Sequence, residues 1–309
     1  MKNKRALGNG LLLLTAFIWG SAFVFQRVGM ESIEPVTFNA ARMALSFIVV
    51  APLAYYYLQK GSSSSSPDRA AEKKRYGRLT VAGGICCGSF LGIASILQQM
   101  GLVYTSAGKA GFLTAMYILF VPVIGVIFLG RKNTWIIWIS VLLGVAGMYL
   151  LCLKEGFSLT KGDTLVCLCA FFFSFHILCC DHFGRLGNPV CISAIQFLTA
   201  SVLSAVAAVI FEEPDMGKIL SALIPIAYCG IVSGGIGYTL QITAQKFTDP
   251  TTASLLMSME SVFAAITGAL LLQERMSLRE LIGCIIMFTA IILVQIPLPD
   301  QASAEPSGR

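Results

Sequence analysis

Apolar runs and short polar clusters alternate along the whole chain. A helix crossing the hydrocarbon of a bilayer needs about 20 mostly apolar residues. The runs predict ten such helices, near residues 9–28, 36–58, 79–101, 109–129, 134–153, 163–182, 190–210, 218–241, 250–272 and 277–297. Between them lie ESIEP, GRKN, KEGFSLTKGD, FGRLGNP, FEEPD and KFTDP. These clusters carry the Gly, Pro, Asn, Asp and Ser residues that end helices. The serine run 62–66 with its basic tail reads as a flexible, solvated linker. The first run follows a basic start, as a signal peptide does, but continues through Trp19 to Val28 and is read as an uncleaved spanning helix. The fold class is therefore an all-α integral membrane protein.

The segments repeat. A shift of 154 aligns residues 8–50 with 162–204 and brings Pro35 onto Pro189 and Ala40 onto Ala194. A shift of 143 aligns residues 86–150 with 229–293 and brings Gln98 onto Gln241, Thr105 onto Thr248 and Phe120 onto Phe263. The 11-residue difference between the shifts is the extra length of the serine-rich loop. Five segments per copy is an odd number, so the second copy enters the membrane the other way up. The prediction is two inverted five-helix repeats, residues 1–153 and 163–297, joined by a loop at 154–162 and followed by a disordered tail at 298–309. In this architecture a substrate site lies near the midplane, between the repeats.

Composition agrees: 56% of residues are hydrophobic and 12% charged, against about 25% charged in a soluble domain. Mean hydropathy is +0.78. The net charge of +6 sits in short loops with no folded hydrophilic domain, which excludes nucleic acid as a partner. It sets orientation instead. Eleven lysines and arginines, at 2–5, 60–78 and 131–132, fall on one side of the first five spans, and Arg27, Lys109, Lys154 and Lys161 on the other. By the positive-inside bias both termini are cytoplasmic, in a multi-pass protein of the cell membrane. Nearly all ten cysteines lie within apolar runs, where they act as small hydrophobes and not as a disulfide framework. HILCCDH (176–182) cannot aim its ligand-type residues at one metal from helical spacing, so no metal or other cofactor is expected. TSAGKAG (105–111) lacks the glycine spacing and the Ser or Thr of a phosphate loop, so ATP does not drive the protein directly.

LLLLTAFIWGSAFVFQRV followed by EPVTFNAARMALSFIV, with Trp19-Gly20, Pro35 and Arg42, resembles the first two helices of the EamA-type drug/metabolite transporter superfamily. The stretch from Gly101 to Leu151 resembles that family's helices 4 and 5. The stretch from Thr251 to Gln295, with Glu274, resembles helices 9 and 10. The second copy departs from the first in having Phe172-Phe173-Ser174 opposite Ile18-Trp19-Gly20, and Gln196 opposite Arg42. The resemblance implies a carrier for small organic solutes such as amino acids, metabolites or drugs, often an exporter. The expected partners are lipid and solute, with protons as a coupling option, and the expected state is a monomer or weak homodimer.

Ionisable groups inside spans are costly and mark function by default. Glu260 lies within LLMSMESVFAA. Desolvated there, it suits proton exchange or pairing with a cationic group, and its repeat partner is Tyr117. The remaining expected lining is Trp19, Gln98, His176, Tyr238 and Gln241, which offer aromatic walls, amides and one imidazole. Arg42 fits snorkelling, loop pairing or substrate contact. Asp181, His182 and Arg185 read as interface residues at a helix end, and the glycines at 84, 88, 92, 230 and 234 as packing seams. No catalytic residue is assigned. A membrane-embedded enzyme needs a converging nucleophile, base and orienting group that this chain scarcely supplies. A non-transporting scaffold is the other alternative.

Overall fold

The computed structural model describes residues 2–60, 67–104, 107–131, 133–152, 160–271 and 277–295. The serine run 62–66, Thr105, Glu274, most of the 154–162 loop and the 298–309 tail lie outside the described residues. The first half forms α1 (Lys2–Gly29), α2 (Pro35–Lys60), α3 (Pro67–Leu102), α4 (Ala107–Thr114), α5 (Tyr117–Leu129) and α6 (Trp135–Cys152). The second half opens with α7 (Lys161–Leu186), α8 (Pro189–Phe211), α9 (Met216–Ser221) and α10 (Leu223–Ala227). A π-helix at Tyr228–Tyr238 follows, then α11 (Thr239–Ala244), α12 (Pro250–Met257), α13 (Glu260–Leu271) and α14 (Leu278–Gln295).

Among the described residues, seven stretches are long and apolar enough to cross a membrane: Lys4–Gly29, Pro35–Gln59, Lys74–Leu102, Ala110–Leu129, Lys161–Leu186, Pro189–Phe211 and Leu223–Ala244. Shorter apolar stretches lie in α6 and α14. Their side chains sort opposite to those of a water-soluble protein. Ile48, Phe128, Val209, Ile224 and Leu278 are exposed, while Asn39, Arg42, Gln98, His176, Gln241 and Glu260 are buried. Lipid accepts the first set, and the second finds polar company only inside.

The polar clusters act as helix starts. At α7, the Asp163 N–H donates to Thr160 Oγ1 (3.2 Å) and the Thr160 N–H to Asp163 Oδ2 (2.6 Å), a capping box. Asn188 Oδ1 accepts from the N–H groups of Val190 and Cys191, just before Pro189 opens α8. Asp249 caps α12 in the same way ahead of Pro250.

Element starts keep the register of the sequence repeat. α4 and α12 begin at 107 and 250, α5 and α13 at 117 and 260, and α6 and α14 at 135 and 278, each pair 143 apart. α2 and α8 begin at prolines 35 and 189, which are 154 apart. α2 packs on α8, α6 on α14, and α3 on α7 and α8. Two of the expected glycine seams lie here. A methyl group at Gly88 would sit 2.6 Å from the Gln196 carbonyl oxygen, and one at Gly230 2.9 Å from that of Arg42. Only hydrogen fits at such separations.

The structure corrects the sequence reading in three segments. Those at 109–129 and 250–272, expected as continuous helices, are each broken, after Thr114 and after Met257. At both breaks the ladder tightens to bonds three residues back: Met116 N–H to Leu113 O and Met259 N–H to Leu256 O, each 3.3 Å. In the second copy Ser254 and Ser258 help. Their hydroxyls donate to Thr251 O and Leu255 O at 2.8 Å and compete with the helical N–H groups. The segment at 218–241 is also not one α-helix, since its middle winds as the π-helix.

Candidate functional site

Both breaks open onto one place. Tyr117 and Glu260, the first residues of α5 and α13, are each 3% exposed. The Tyr117 hydroxyl donates to Glu260 Oε1 at 2.9 Å. These are repeat-equivalent residues in direct contact, although they lie 143 positions apart. α1 comes close enough to frame them because residue 20 is glycine. A methyl group there would lie 2.6 Å from the Glu260 carbonyl oxygen.

Around this pair is a cavity. From α1 it receives Trp19, Phe23 and Gln26, and from α2 Arg42. Gln98, Thr114 and Tyr117 complete the contribution of the first half. α7 supplies Phe173, His176 and Ile177; the π-helix supplies Ser233 and Tyr238; Gln241 and Glu260 close the ring. All seven residues expected from the sequence, Trp19, Gln98, Tyr117, His176, Tyr238, Gln241 and Glu260, thus face one space.

Each is held by identifiable contacts. Trp19 Nε1 donates to the Ser233 carbonyl at 3.2 Å, and the Trp19 ring lies 4.7 Å from that of Tyr238. That carbonyl belongs to the π-helix. Gln98 Nε2 donates to Thr114 Oγ1 at 3.2 Å, on the residue just before the first break. Its repeat equivalent Gln241 has both amide atoms buried and without a partner among the described residues. Gln99 and Gln245, the neighbouring amides, turn away: Gln99 reaches Met30 Sδ and Gln245 reaches the Ile177 carbonyl. His176 is buried with Nε2 3.1 Å from Gln196 Oε1, and its ring lies edge-on to Tyr238 at 5.7 Å.

The sequence reading undervalued Arg42. It does not snorkel: it is 4% exposed, with Nε donating to Asn39 Oδ1 at 2.8 Å. Asn39 is itself clamped, its Nδ2 donating to Ser95 Oγ (3.0 Å) and Ser204 Oγ (2.8 Å). Asn39 lies three residues before Arg42, on the same helix face, and that spacing was the available signal. The shift of 154 likewise pairs Phe173 and Ile177 with Trp19 and Phe23. Gln26, Thr114 and Ser233 carried no such mark.

A second polar cluster lies one turn beyond the cavity on α7. Asp181, expected at a membrane interface, is buried. Its Oδ2 accepts from Arg131 Nη2 at 2.7 Å, and its Oδ1 from Arg185 Nε (3.0 Å) and Nη2 (2.8 Å). Arg131 follows α5, so this ion pair ties the first half of the chain to the second. The cavity lining ends at Ile177 on this side, whereas along α1 it extends to Gln26.

Comparison with known proteins places the chain. The model of the EamA-like transporter family matches it twice, over residues 6–153 and 160–296. An uncharacterized transporter of Archaeoglobus fulgidus is 28% identical over 305 residues, covering 95% of this chain and 87% of that protein. The uncharacterized transporter YoaV of Bacillus subtilis is 22% identical, covering 92% of this chain and 94% of its own length. A solved crystal structure superposes with a TM-score of 0.73 over 93% of this chain and 96% of that one. At 17% identity this is a likeness of fold. With two copies of the family's domain along nearly its whole length, the chain belongs to the EamA-like transporter family.

Proposed function

We propose that the protein is a secondary-active carrier that moves a small organic solute across the cell membrane by alternating access, in the direction of export. It is built as two inverted five-helix repeats, residues 1–153 and 163–297, giving ten spanning helices with both termini cytoplasmic. The observation that carries this reading is the contact between Tyr117 and Glu260. Equivalent positions of two repeats meet each other only on the axis relating them. Three further equivalent pairs, Trp19 with Phe173, Phe23 with Ile177, and Gln98 with Gln241, line the same cavity. A cavity on a pseudo-twofold axis can open to either face by exchanging the shapes of the two halves. Broken helices at that site are the usual way to place free backbone groups and charge at the midplane.

The asymmetry of the cavity supports one end being shut. Gln26 lines it, while Cys180, the equivalent residue of α7, is fully buried beside the Asp181 ion pairs. Glu260 is the coupling group in this reading, with Tyr117, Tyr238, His176 and Arg42 as the other ionisable groups of the cavity. The test is uptake into proteoliposomes under an imposed proton gradient. The reading requires accumulation above equilibrium and loss of its pH dependence in Glu260→Gln, with His176→Gln as the control that assigns that dependence. Passive equilibration alone overturns the carrier. Unchanged pH dependence in Glu260→Gln removes Glu260 as the coupling site.

A further inference from the structure

We infer that Cys86 and Cys179 form a modification site, a dithiol that a membrane-borne organic hydroperoxide oxidises to a disulfide, and that this bond latches one end of the cavity shut. The site lies where α3 of the first half packs along α7 of the second. Each helix carries two adjacent cysteines there, 86–87 and 179–180. Cys86 Sγ lies 3.4 Å from Cys179 Sγ, and Cys180 Sγ lies 3.8 Å from Cys87 Sγ. All four are free thiols. Contacts on either side fix the register. A methyl group at Gly83 would meet Phe183 Cβ at 2.6 Å, and the Phe90 and Phe175 rings stack at 5.3 Å. The outer sulfurs therefore touch across a fixed interface, the starting point that disulfide geometry requires.

The two pairs differ in access. Cys87 and Cys180 are fully buried, whereas Cys86 and Cys179 are half-buried at the rim of the groove, beside the exposed Ile85. Cys86 follows Arg78 by about 12 Å along α3, and Cys179 precedes Arg185 by about 9 Å along α7, at 1.5 Å per residue. The rim therefore meets lipid chains, below the polar boundary. An oxidant dissolved in hydrocarbon reaches it there, and an organic hydroperoxide is one. The chemistry needs no charged product. The Cys86 thiol takes the terminal oxygen of the hydroperoxide, and the alcohol leaves with the thiol proton. The Cys179 thiol then attacks the sulfenic acid and releases water. The O–O bond gains the two electrons that the two thiols lose in forming S–S. The bond sits at the shut end of the cavity, because Cys180 and Asp181 follow Cys179 on α7. Its consequence rests on the carrier reading above: opening this end moves α7 against the first half, and a covalent tie to α3 prevents that. The other end has no such pair. The repeat equivalents of Cys86 and Cys179 are Cys229 and Phe25, and the Cys229 thiol points to the Ala22 carbonyl at 3.9 Å. Oxidation thus acts on one end only.

The experiment uses the purified full-length protein in phosphatidylcholine vesicles. It is exposed to cumene hydroperoxide, which enters hydrocarbon, or to tetrathionate, a charged oxidant that stays in water. Non-reduced digests are read by mass spectrometry. Cumene hydroperoxide is expected to join the Cys86 and Cys179 peptides, faster than tetrathionate does, and a dithiol reductant to separate them. The latch is read in a variant keeping only Cys86, Cys179 and Cys180, as the rate at which a hydrophilic maleimide labels Cys180. Oxidation is expected to lower that rate on the order of tenfold, and reduction to restore it. With Cys86→Ser added, the hydroperoxide is expected to leave the rate unchanged, and a melting temperature close to that of the parent shows that the variant folds. No disulfide, a bond mainly between other cysteines, or equal rates with both oxidants overturns the modification site. A Cys86–Cys179 bond that leaves Cys180 labelling unchanged overturns the latch. Neither readout involves transport, so a protein that shows both but accumulates no solute in proteoliposomes overturns the carrier reading alone.

Discussion

Asp181→Asn gives the sharpest test of the alternating-access reading. Asp181 is 4% exposed and accepts from Arg131, which is 34% exposed, and from Arg185, which is 47% exposed. The Arg185 bond stays within α7 and moves with it, so it does not distinguish one conformation from another; such i,i+4 pairs are worth about 0.5 kcal/mol. The Arg131 bond joins the two halves. Breaking a fully buried ion pair costs about 3–5 kcal/mol and an exposed one about 0–1. With one buried partner and one a third exposed, about 2 kcal/mol is the reasonable middle, which is roughly 30-fold in an equilibrium at 1.4 kcal/mol per tenfold. The reporter is already in the chain. Cys180 is fully buried, yet its repeat equivalent Gln26 lines the cavity, so opening this end should uncover the Cys180 thiol. In a variant keeping Cys180 as its sole cysteine, Asp181→Asn is expected to speed labelling by a hydrophilic maleimide on the order of tenfold or more. If melting temperature falls while the labelling rate is unchanged, the ion pair holds the fold together but does not gate the cavity.

Three further outcomes follow from the packing and the loops. Gly20→Ala places a methyl group 2.6 Å from the Glu260 carbonyl oxygen. It should lower thermal stability in detergent by about 1–3 kcal/mol, whereas Gly10→Ala, with open space around it, should raise it by a few tenths, up to about 1 kcal/mol. Glu212→Ala removes the acceptor for the Val36 and Thr37 N–H groups at 2.9 and 2.7 Å. Melting curves should register the lost cap of α2 as about 1–2 kcal/mol. Outside the spans, the Lys218 hydrogen bond holds the Glu34 carboxyl below its usual 4.5, and Glu34 holds the Lys218 amine above its usual 10.5. The lowered carboxyl means that the link is present above the ordinary carboxylate value and is lost as pH falls through the folded one. The raised amine means that it is lost again only as pH rises through the folded lysine value. Melting temperature followed into acid should therefore fall slightly less steeply in Glu34→Gln than in the parent protein.

The spans and their repeat are legible because lipid demands long apolar runs, and two constant shifts survive where individual side chains have diverged. Cavity residues are harder to read, since rotation about the helix axis, and not polarity, decides their direction. Gln98 and Gln99 are adjacent and equally polar, but about 100° apart around the axis, and only the first meets the cavity. Gln241 and Gln245 share a face by spacing, yet Gln245 is taken by the Ile177 carbonyl. The breaks before Tyr117 and Glu260 carry no Gly or Pro at the interruption, and the π-helix is a matter of backbone winding that side-chain pattern does not encode. Arg42 was ambiguous for a physical reason: an arginine stem can reach a membrane surface from two turns inside, and only the clamp through Asn39 shows that it does not.

The frame is symmetric and the chemistry placed on it is not, and each half of that statement has a cause. In the proposed alternating-access reading, interconversion between two faces is easiest when the two halves can exchange shapes at similar energy, and breaks at the same register in both halves favour that. A residue on the axis, however, meets its own equivalent. Two glutamates there would face each other at hydrogen-bond distance, and one would have to hold a proton against the other. Two tyrosines would leave no charge at all. Tyr117 opposite Glu260 gives one carboxylate and one neutral donor to orient it. Off the axis the copies also differ: Arg42 lines the cavity, while its equivalent Gln196 is turned to His176. At Tyr117 and Glu260 the two copies thus differ where identity would have placed like charges together, while the starts and breaks of the helices kept their register.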